Sequence, residues 1–342
     1  MGQGRWRGWS ILGATSTSHG VMEITYIYLS SAMATENHIL SSLRMPLVRH
    51  GLHILVICTI CLAHQSLGSP LDDQKGIFGV PSMLLSSSYG QATLPSENVE
   101  YQHYFSVHYE KRKGGYYGVV ATMDIWGHHI GRNQMTAAAI WITNGDSDQR
   151  NAIMFGWLVS PSRFNDSNTY LFTAWTRDNL RNTGCFNFDC QGIKLVSGSP
   201  IFPGDIISPV SGMNGVRQNI TIKVFKDKSS GDWWLHCGVN SDPIPIGYFP
   251  ASLFDKLSDK ATEVWLGGTA SNAKGFAPPP MGSGAFASDS KAAAIYGIKF
   301  IGANRKSKPI GKDAPAQVTD DKLYTISNIT GAKFWYGGPG RA

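Results

Sequence analysis

The sequence predicts an all-β protein, an antiparallel β-sandwich of two stacked sheets with one short helix. Three observations carry that expectation. Charged residues make up only 16 % of the 342 positions and glycine numbers 38, against a usual charged share of about 25 %; coiled coils, long solvated helices and acidic tails are excluded. From position 99 onward the chain is a series of short alternating or aromatic runs separated by Gly, Asn, Asp and Ser, the pattern of strands and turns. Only one stretch has the three-to-four-residue apolar period of a helix.

Taken in order, the strands fall at residues 101–109, 116–125, 136–143, 152–160, 170–176, 193–197, 219–225, 233–239, 263–268 and 292–301. Asn144-Gly145-Asp146 and the five residues 228–232 read as hairpin connections, since Gly and Asn tolerate the backbone angles that tight turns need. The helix is expected at residues 250–261, with Pro250 at its start and Leu253, Phe254 and Leu257 on one face. Ten strands and one short helix in about 200 residues suit two packed sheets.

The amino end has a different texture. Residues 52–63, LHILVICTICLA, are too few to span a bilayer, so stable membrane insertion is not expected. Arg49 and His50 precede this run and Ala63, Gly68 and Ser69 follow it, the layout of a secretory signal. The expected organisation is a non-native or mispredicted extension over 1–44, translation starting at Met45, a signal peptide over 45–68, a short propeptide-like linker over 69–98 and the sandwich over 99–342. Residues 52–63 could also be read as a buried core strand, since length alone does not separate the two.

Export changes the meaning of the cysteines. Cys58 and Cys61 form a C-x-x-C inside the apolar run and would leave with the signal. In an oxidising compartment two of the remaining three should pair, and Cys185 and Cys190, five apart after the turn-permitting Gly184, are the expected disulfide. Cys237 is left as a buried thiol, since free Cys behaves as a small hydrophobe. Asn165, Asn219 and Asn328 begin N-x-[ST] triplets, glycosylation acceptors in an exported chain.

Motifs for chemistry are scarce. There is no HExxH, phosphate-binding loop or dinucleotide glycine pattern, and no metal or cofactor is expected. His128-His129 reads as a solvent-facing turn, and Asp166, Asp178 and Asp189 as turn carboxylates that cap backbone N–H groups. The net charge of +6 is scattered, with Lys111-Arg112-Lys113 the longest basic cluster, too short for a nucleic-acid footprint.

Ordered motifs do carry a resemblance. Tyr116-Tyr117-Gly118, AIWITNGD at 139–146, GWLVSP at 156–161, LFTAWT at 171–176, TGCFN at 183–187, GDWWL at 231–235, Gly247-Tyr248-Phe249-Pro250, Gly267-Gly268, MGSG at 281–284 and the final YGGPGR at 336–341 resemble the neprosin-like plant proteins, whose type member is a secreted glutamic peptidase that cuts after proline. The resemblance spans about Val99 to Arg341 and implies an antiparallel sandwich. It also implies two glutamates facing each other across one sheet, one activating water and the other polarising the peptide carbonyl, with their pKa values driven apart by proximity.

On the aligned positions both glutamates are replaced. The first, two residues before the Gly-Trp pair, is Met154, and the second, after Gly267-Gly268, is Thr269. Met transfers no proton and Thr does not ionise near neutrality, so no catalytic residue is intact. Glu263, six residues from Thr269, shares its strand face about 20 Å away and does not fill the same place. The family's propeptide is longer than residues 69–98, the family cysteine of a late Cys-Tyr-Asp segment is Leu323 here, and the chain stops at Ala342 before a second one; one family disulfide worth about 2 to 4 kcal/mol is then absent.

The leading expectation is a secreted protein of the apoplast or cell wall, catalytically inactive, whose groove retains at most the binding of a proline-containing peptide or a wall glycan. Trp157, Trp175, Gly267 and Gly268 are the groove candidates. The alternatives are an active glutamic endopeptidase using an unidentified carboxylate, and a wall-associated lectin-like sandwich resting on Trp157 and Trp175 as exposed aromatics. Strand parity puts Met154 on the same face as Gly156 and Leu158 and opposite Trp157.

Overall fold

The computed structural model describes residues 99–340 and, earlier in the chain, three short strands. The chain divides into two units, 1–68 and 69–342. The first contains β1 (Ala14–Ser16), β2 (Val21–Ile24) and β3 (Leu43–Pro46) in one antiparallel sheet. The expected signal peptide beyond Pro46, with Cys58 and Cys61, and the linker 69–98 lie outside the described residues.

The second unit is the expected sandwich. One sheet has seven strands, in order β18 (Ala316–Val318), β4 (Tyr101–Tyr116), β14 (Ala261–Ala273), β6 (Gln134–Asn144), β7 (Asn151–Val159), β8 (Tyr170–Thr176) and β9 (Cys185–Phe186). The other runs β10 (Lys194–Leu195), β13 (Ile244–Phe249), β12 (Trp233–Val239), β11 (Asn219–Lys226), β5 (Gly118–Asp124), β16 (Ala293–Ile301), β20 (Phe334–Gly338) and β15 (Met281–Gly282). β17 (Ser307–Pro309) and β19 (Thr325–Ile326) add to β16 and β20. Every named strand pairing is antiparallel.

Each of the ten anticipated strands is present, several longer than the pattern indicated. The core lies between the sheets, where Ile140, Phe155, Trp157 and Leu266 of the seven-stranded sheet meet Val119, Ile222, Leu235 and Phe300 of the other. In β11 the buried residues alternate strictly, as one packed face requires. β7 is buried at all nine positions, because the far face of its sheet carries an apolar cluster of its own.

The helix expected at 250–261 is not there. A 3-10 turn, Ala251–Leu253, is followed by bends until β14 begins. The cause is Asn151, whose buried side-chain oxygen accepts the N–H groups of Asp255 (3.0 Å), Lys256 (2.9 Å) and Leu257 (3.3 Å). Three donors held by one side chain cannot form an i to i−4 ladder. The Leu257 carbonyl in turn accepts the Trp233 indole N–H at 2.8 Å. The one α-helix among the described residues is α1 (Pro161–Phe164), ended by Asn165 in the left-handed conformation at φ 65°.

Candidate functional site: the outer trough of the seven-stranded sheet

The outer face of the seven-stranded sheet can be built row by row from the strand register. Val107, Gly267, Ala139, Gly156 and Phe172 lie level across β4, β14, β6, β7 and β8. The three central residues of that row have almost no side chain, so they form a floor. A Cβ on Gly156 would stand 2.0 Å from the Ala138 carbonyl oxygen, and one on Gly267 2.2 Å from that of Ser106; close strand approach demands glycine at both places. One wall is the row Tyr109, Trp265, Trp141, Met154 and Ala174, and the other is Phe105, Thr269, Ala137, Leu158 and Tyr170. A trough therefore crosses the strands.

Met154 and Thr269 share this face, both with 0 % exposure, on opposite walls. They are two strands apart and four residues out of register, which on a flat sheet is a Cα separation of about 16 Å. Thr173 Oγ1 donates to the Met154 carbonyl oxygen at 2.7 Å, fixing β7 against β8, while Thr269 Oγ1 has no partner. Of the groove candidates, only Gly267 belongs to the trough. Gly268 faces inward, where a Cβ would meet Tyr336 and Met281. Trp157, with 0 % exposure, and Trp175, with 8 %, lie in the core between the sheets, and the Trp157 indole donates to the Asp124 carbonyl oxygen at 2.9 Å. They are neither exposed aromatics nor trough residues; Trp157 had the wrong parity from the start.

Two polar clusters lie beyond the two walls, toward opposite ends of the strands, and sequence reading missed the partners in both. At one end Glu263, two positions from Trp265 on the same face of β14, receives Lys111 Nζ at 3.0 Å, Thr143 Oγ1 at 3.3 Å and Arg150 Nη1 at 3.8 Å. The Glu263 carboxylate beside it holds the Lys111 ammonium above its usual range. At the other end His103 Nδ1 lies 2.7 Å from Ser271 Oγ, and burial holds the His103 imidazole down at about 4. Glu110, the other acidic residue on the strands of this sheet, is turned to the opposite face, where it accepts the Tyr116 hydroxyl at 3.0 Å. Glu263 is thus the one carboxylate on the trough face among the described strand residues.

The β8 edge is held by the disulfide between Cys185 and Cys190, with Cα atoms 5.6 Å apart. It anchors β9, so that Phe186 stacks on Phe172 at 5.8 Å with the Arg163 guanidinium 3.8 Å over its ring. Asp166 and Asp178 cap turns, accepting from Asn168 N and from Asn182 N and Thr183 N. Asp189 departs from the expected capping role and pairs with Arg163 Nη1 at 2.8 Å. His128 is half-buried and its Nε2 lies 2.8 Å from the Gly282 carbonyl oxygen, so it braces the sheet rather than facing solvent. Cys237 is a free, buried thiol. Of the sequon asparagines, Asn165 and Asn328 are exposed and Asn219 is half-buried in β11.

A two-sheet antiparallel sandwich with a trough across the outer face of one sheet is the class that fold and site define. The sequence profile of the Neprosin family matches residues 132–339, more than half of the chain, and the chain belongs to the Neprosin family. Among solved structures it is similar to scytalido-glutamic peptidase bound to a peptide-based transition-state analogue, at 11 % identity over 70 % of this chain and 98 % of that one with a TM-score of 0.39. It is also similar to SCP-B, a member of the Eqolisin family in complex with the tripeptide Ala-Ile-His, at 12 % identity, the same coverages and a TM-score of 0.38.

Proposed function

We propose that this Neprosin-family protein has no peptidase activity and acts as an exported peptide binder through the trough. The observation that carries the reading is the chemistry of the two walls. A shared-proton dyad needs two carboxyl groups in close contact, whereas the aligned positions hold a thioether and a hydroxyl. The remaining carboxylate of the face, Glu263, is tied to two cations and a hydroxyl, and no second acid shares that face among the described strand residues. Peptide rather than glycan is the favoured ligand, because the glycan reading rested on Trp157 and Trp175, which belong to the core.

Export is supported by the disulfide, which persists in oxidising compartments, by the signal-like run 52–63, and by the exposure of Asn165 and Asn328. No helix among the described residues is long and apolar enough to cross a membrane. The test is a quenched fluorescent proline-containing peptide incubated with the secreted protein from pH 2 to 7, with binding of the same peptide measured by anisotropy. The expected outcome is saturable binding without cleavage; cleavage by the unaltered protein would overturn the reading, as would absence of binding.

A further inference from the structure

The outer face of the ten-stranded sheet, on the far side of the sandwich from the trough, carries a charge pattern that peptide binding does not use. Along β11 the outward residues Thr221, Lys223 and Phe225 are half-buried and alternate with buried ones, so the face is open. Strand register sets Lys299, Val120, Lys223 and His236 level across β16, β5, β11 and β12. In the next outward row Phe225, Trp234, Tyr248 and Lys194 are level across β11, β12, β13 and β10. Lys333, just ahead of β20, holds its Nζ 4.6 Å over the Trp335 ring and 5.6 Å over that of Tyr296.

Acids are scarce here. Asp124 is the one acidic residue in the strands of this sheet; it is 6 % exposed and already held by Arg217 Nη1 at 3.4 Å and the Ala294 N–H at 3.0 Å. Among the described residues none of Lys194, Lys223, Lys299 and Lys333 is ion-paired. The turns joining these strands do not cancel their charge, because Asp227, Asp232 and Asp242 are matched there by Lys228, Arg305 and Lys306. Ammonium groups left together without counter-charges raise the local potential and attract a polyanion. They lie on β10, β11 and β16 and beside β20, a width of about 29 Å at the usual strand spacing, too wide for one small anion and suited to an extended acidic polymer.

The rings on this face narrow the choice. Lys223 Nζ sits 4.4 Å over Phe225, Lys333 lies over Trp335 and Tyr296, and Trp234 stacks on Tyr248 at 5.0 Å. These rings spend faces on ammonium groups or on each other, holding the cations at the surface, and are poor platforms for the stacked bases of a single-stranded nucleic acid. The outward cations of these strands are all lysines, point charges that suit separate carboxylates, whereas bidentate grip on phosphate favours arginine.

We propose that the outer face of the ten-stranded sheet binds a linear polysaccharide whose sugars carry carboxylates, laid across the strands over Lys194, Lys223, Lys299 and Lys333. The choice of a polysaccharide among polyanions rests on the export reading above; the face itself is independent of the trough, so one molecule can hold a polymer on one side and a peptide on the other.

The experiment measures binding of the full chain to immobilised polygalacturonate, to its fully methyl-esterified and therefore neutral form, to single-stranded DNA and to phosphatidylserine vesicles. The acid polymer is expected to bind about tenfold or more tighter than its ester, and to lose that lead between about 0.05 and about 0.5 M salt as screening shortens the reach of the charges. Lys223→Glu with Lys299→Glu should weaken the acid polymer about tenfold or more, with an unchanged Tm reporting an intact fold. Lys113→Glu with Lys274→Glu, the same charge change beside the other sheet, should weaken it by less than about threefold. Equal binding of acid and ester, an equal loss in the two charge-reversed pairs, or tighter binding to the DNA or the vesicles overturns the proposal. None of these outcomes touches the peptide reading, which the anisotropy assay decides by itself.

Discussion

Restoring glutamate at both walls, Met154→Glu with Thr269→Glu, tests the inactive reading and the placement of the site together. Both positions are fully buried, and Met154 is level with Trp141 and Ala174 and packs with Leu158 and Phe172 in an apolar cluster. In strongly acid solution a new carboxyl is neutral in both folded and unfolded states, and the loss is the buried methionine surface, about 2 kcal/mol. Burial disfavours the ionised form, so the folded-state pKa lies above the unfolded value of about 4.3. The sign follows: the variant keeps its stability below that value and loses about 1.4 kcal/mol per pH unit above it, until the pH passes the folded pKa. A three-unit elevation would cost about 4 kcal/mol, a large part of a typical folding margin of 5–15 kcal/mol. Thermal unfolding from pH 3 to 8 should show a Tm deficit that widens with pH for Met154→Glu and Thr269→Glu alike, against a flat difference for Met154→Gln. Proline-peptide cleavage should appear with the double variant in acid, the two carboxyls acting from opposite walls on a peptide bound across the floor, and be nearly absent from either single one, since an acid and a base are both needed at the scissile bond. A pH-independent deficit would refute the buried placement. A folded double variant that cleaves nothing would refute the inference that substitution at these two positions is what silences the trough.

Two further outcomes follow from buried groups elsewhere. Burial pushes the Cys237 thiol up to about 12, so it should resist iodoacetamide at pH 8 in the folded protein and react only on unfolding, as a mass shift reports; labelling of the native protein would contradict its place in the core. Asn151→Ala removes the acceptor of three backbone N–H groups and should lower stability by at least about 2 kcal/mol in urea titration, whereas Asn151→Asp keeps that acceptor and should cost less; equal losses would argue against the acceptor role.

The fold was legible because most strands bury one face and so alternate in sequence, β11 being the clearest case. β13 escaped notice because Pro245 and Gly247 interrupt its pattern, and the structure accommodates them next to the sheet edge with a pairing irregularity at Leu235 and His236. The segment 250–261 had a helical period, yet that period served only to bury Phe254 and Leu257 while Asn151 took its N–H groups. For the site, parity alone set Met154 and Trp157 on opposite faces; bulk and aromaticity drew Trp157 into the groove set against that parity. The Gly267 side of the trough floor, the Glu263–Lys111–Arg150 cluster and the His103–Ser271 pair depend on register between strands 100 or more residues apart. No local pattern encodes register, so these were invisible until the strands were paired.

Glu263 decides between the inactive reading and its rival, because it is the one carboxylate on the trough face among the described strand residues. Its surroundings argue for a structural role. Glu263→Gln preserves shape and the contact with Thr143 but leaves the buried Arg150 facing a neutral group. Removing one member of a fully buried pair costs about 3–5 kcal/mol; here Lys111 is largely exposed and the Arg150 contact is long at 3.8 Å, so about 2 kcal/mol is expected. Lys111→Met in the same chain should change that loss little, since an exposed partner contributes about 1 kcal/mol or less. Denaturant midpoints of the two single variants and the double one measure both quantities. Peptide cleavage by the unaltered protein that vanished in Glu263→Gln, with folding intact, would instead make Glu263 the working acid and end the inactive reading. A stability loss alone, with no cleavage in either protein, leaves Glu263 as the counter-ion that holds Arg150 behind the Trp265 wall.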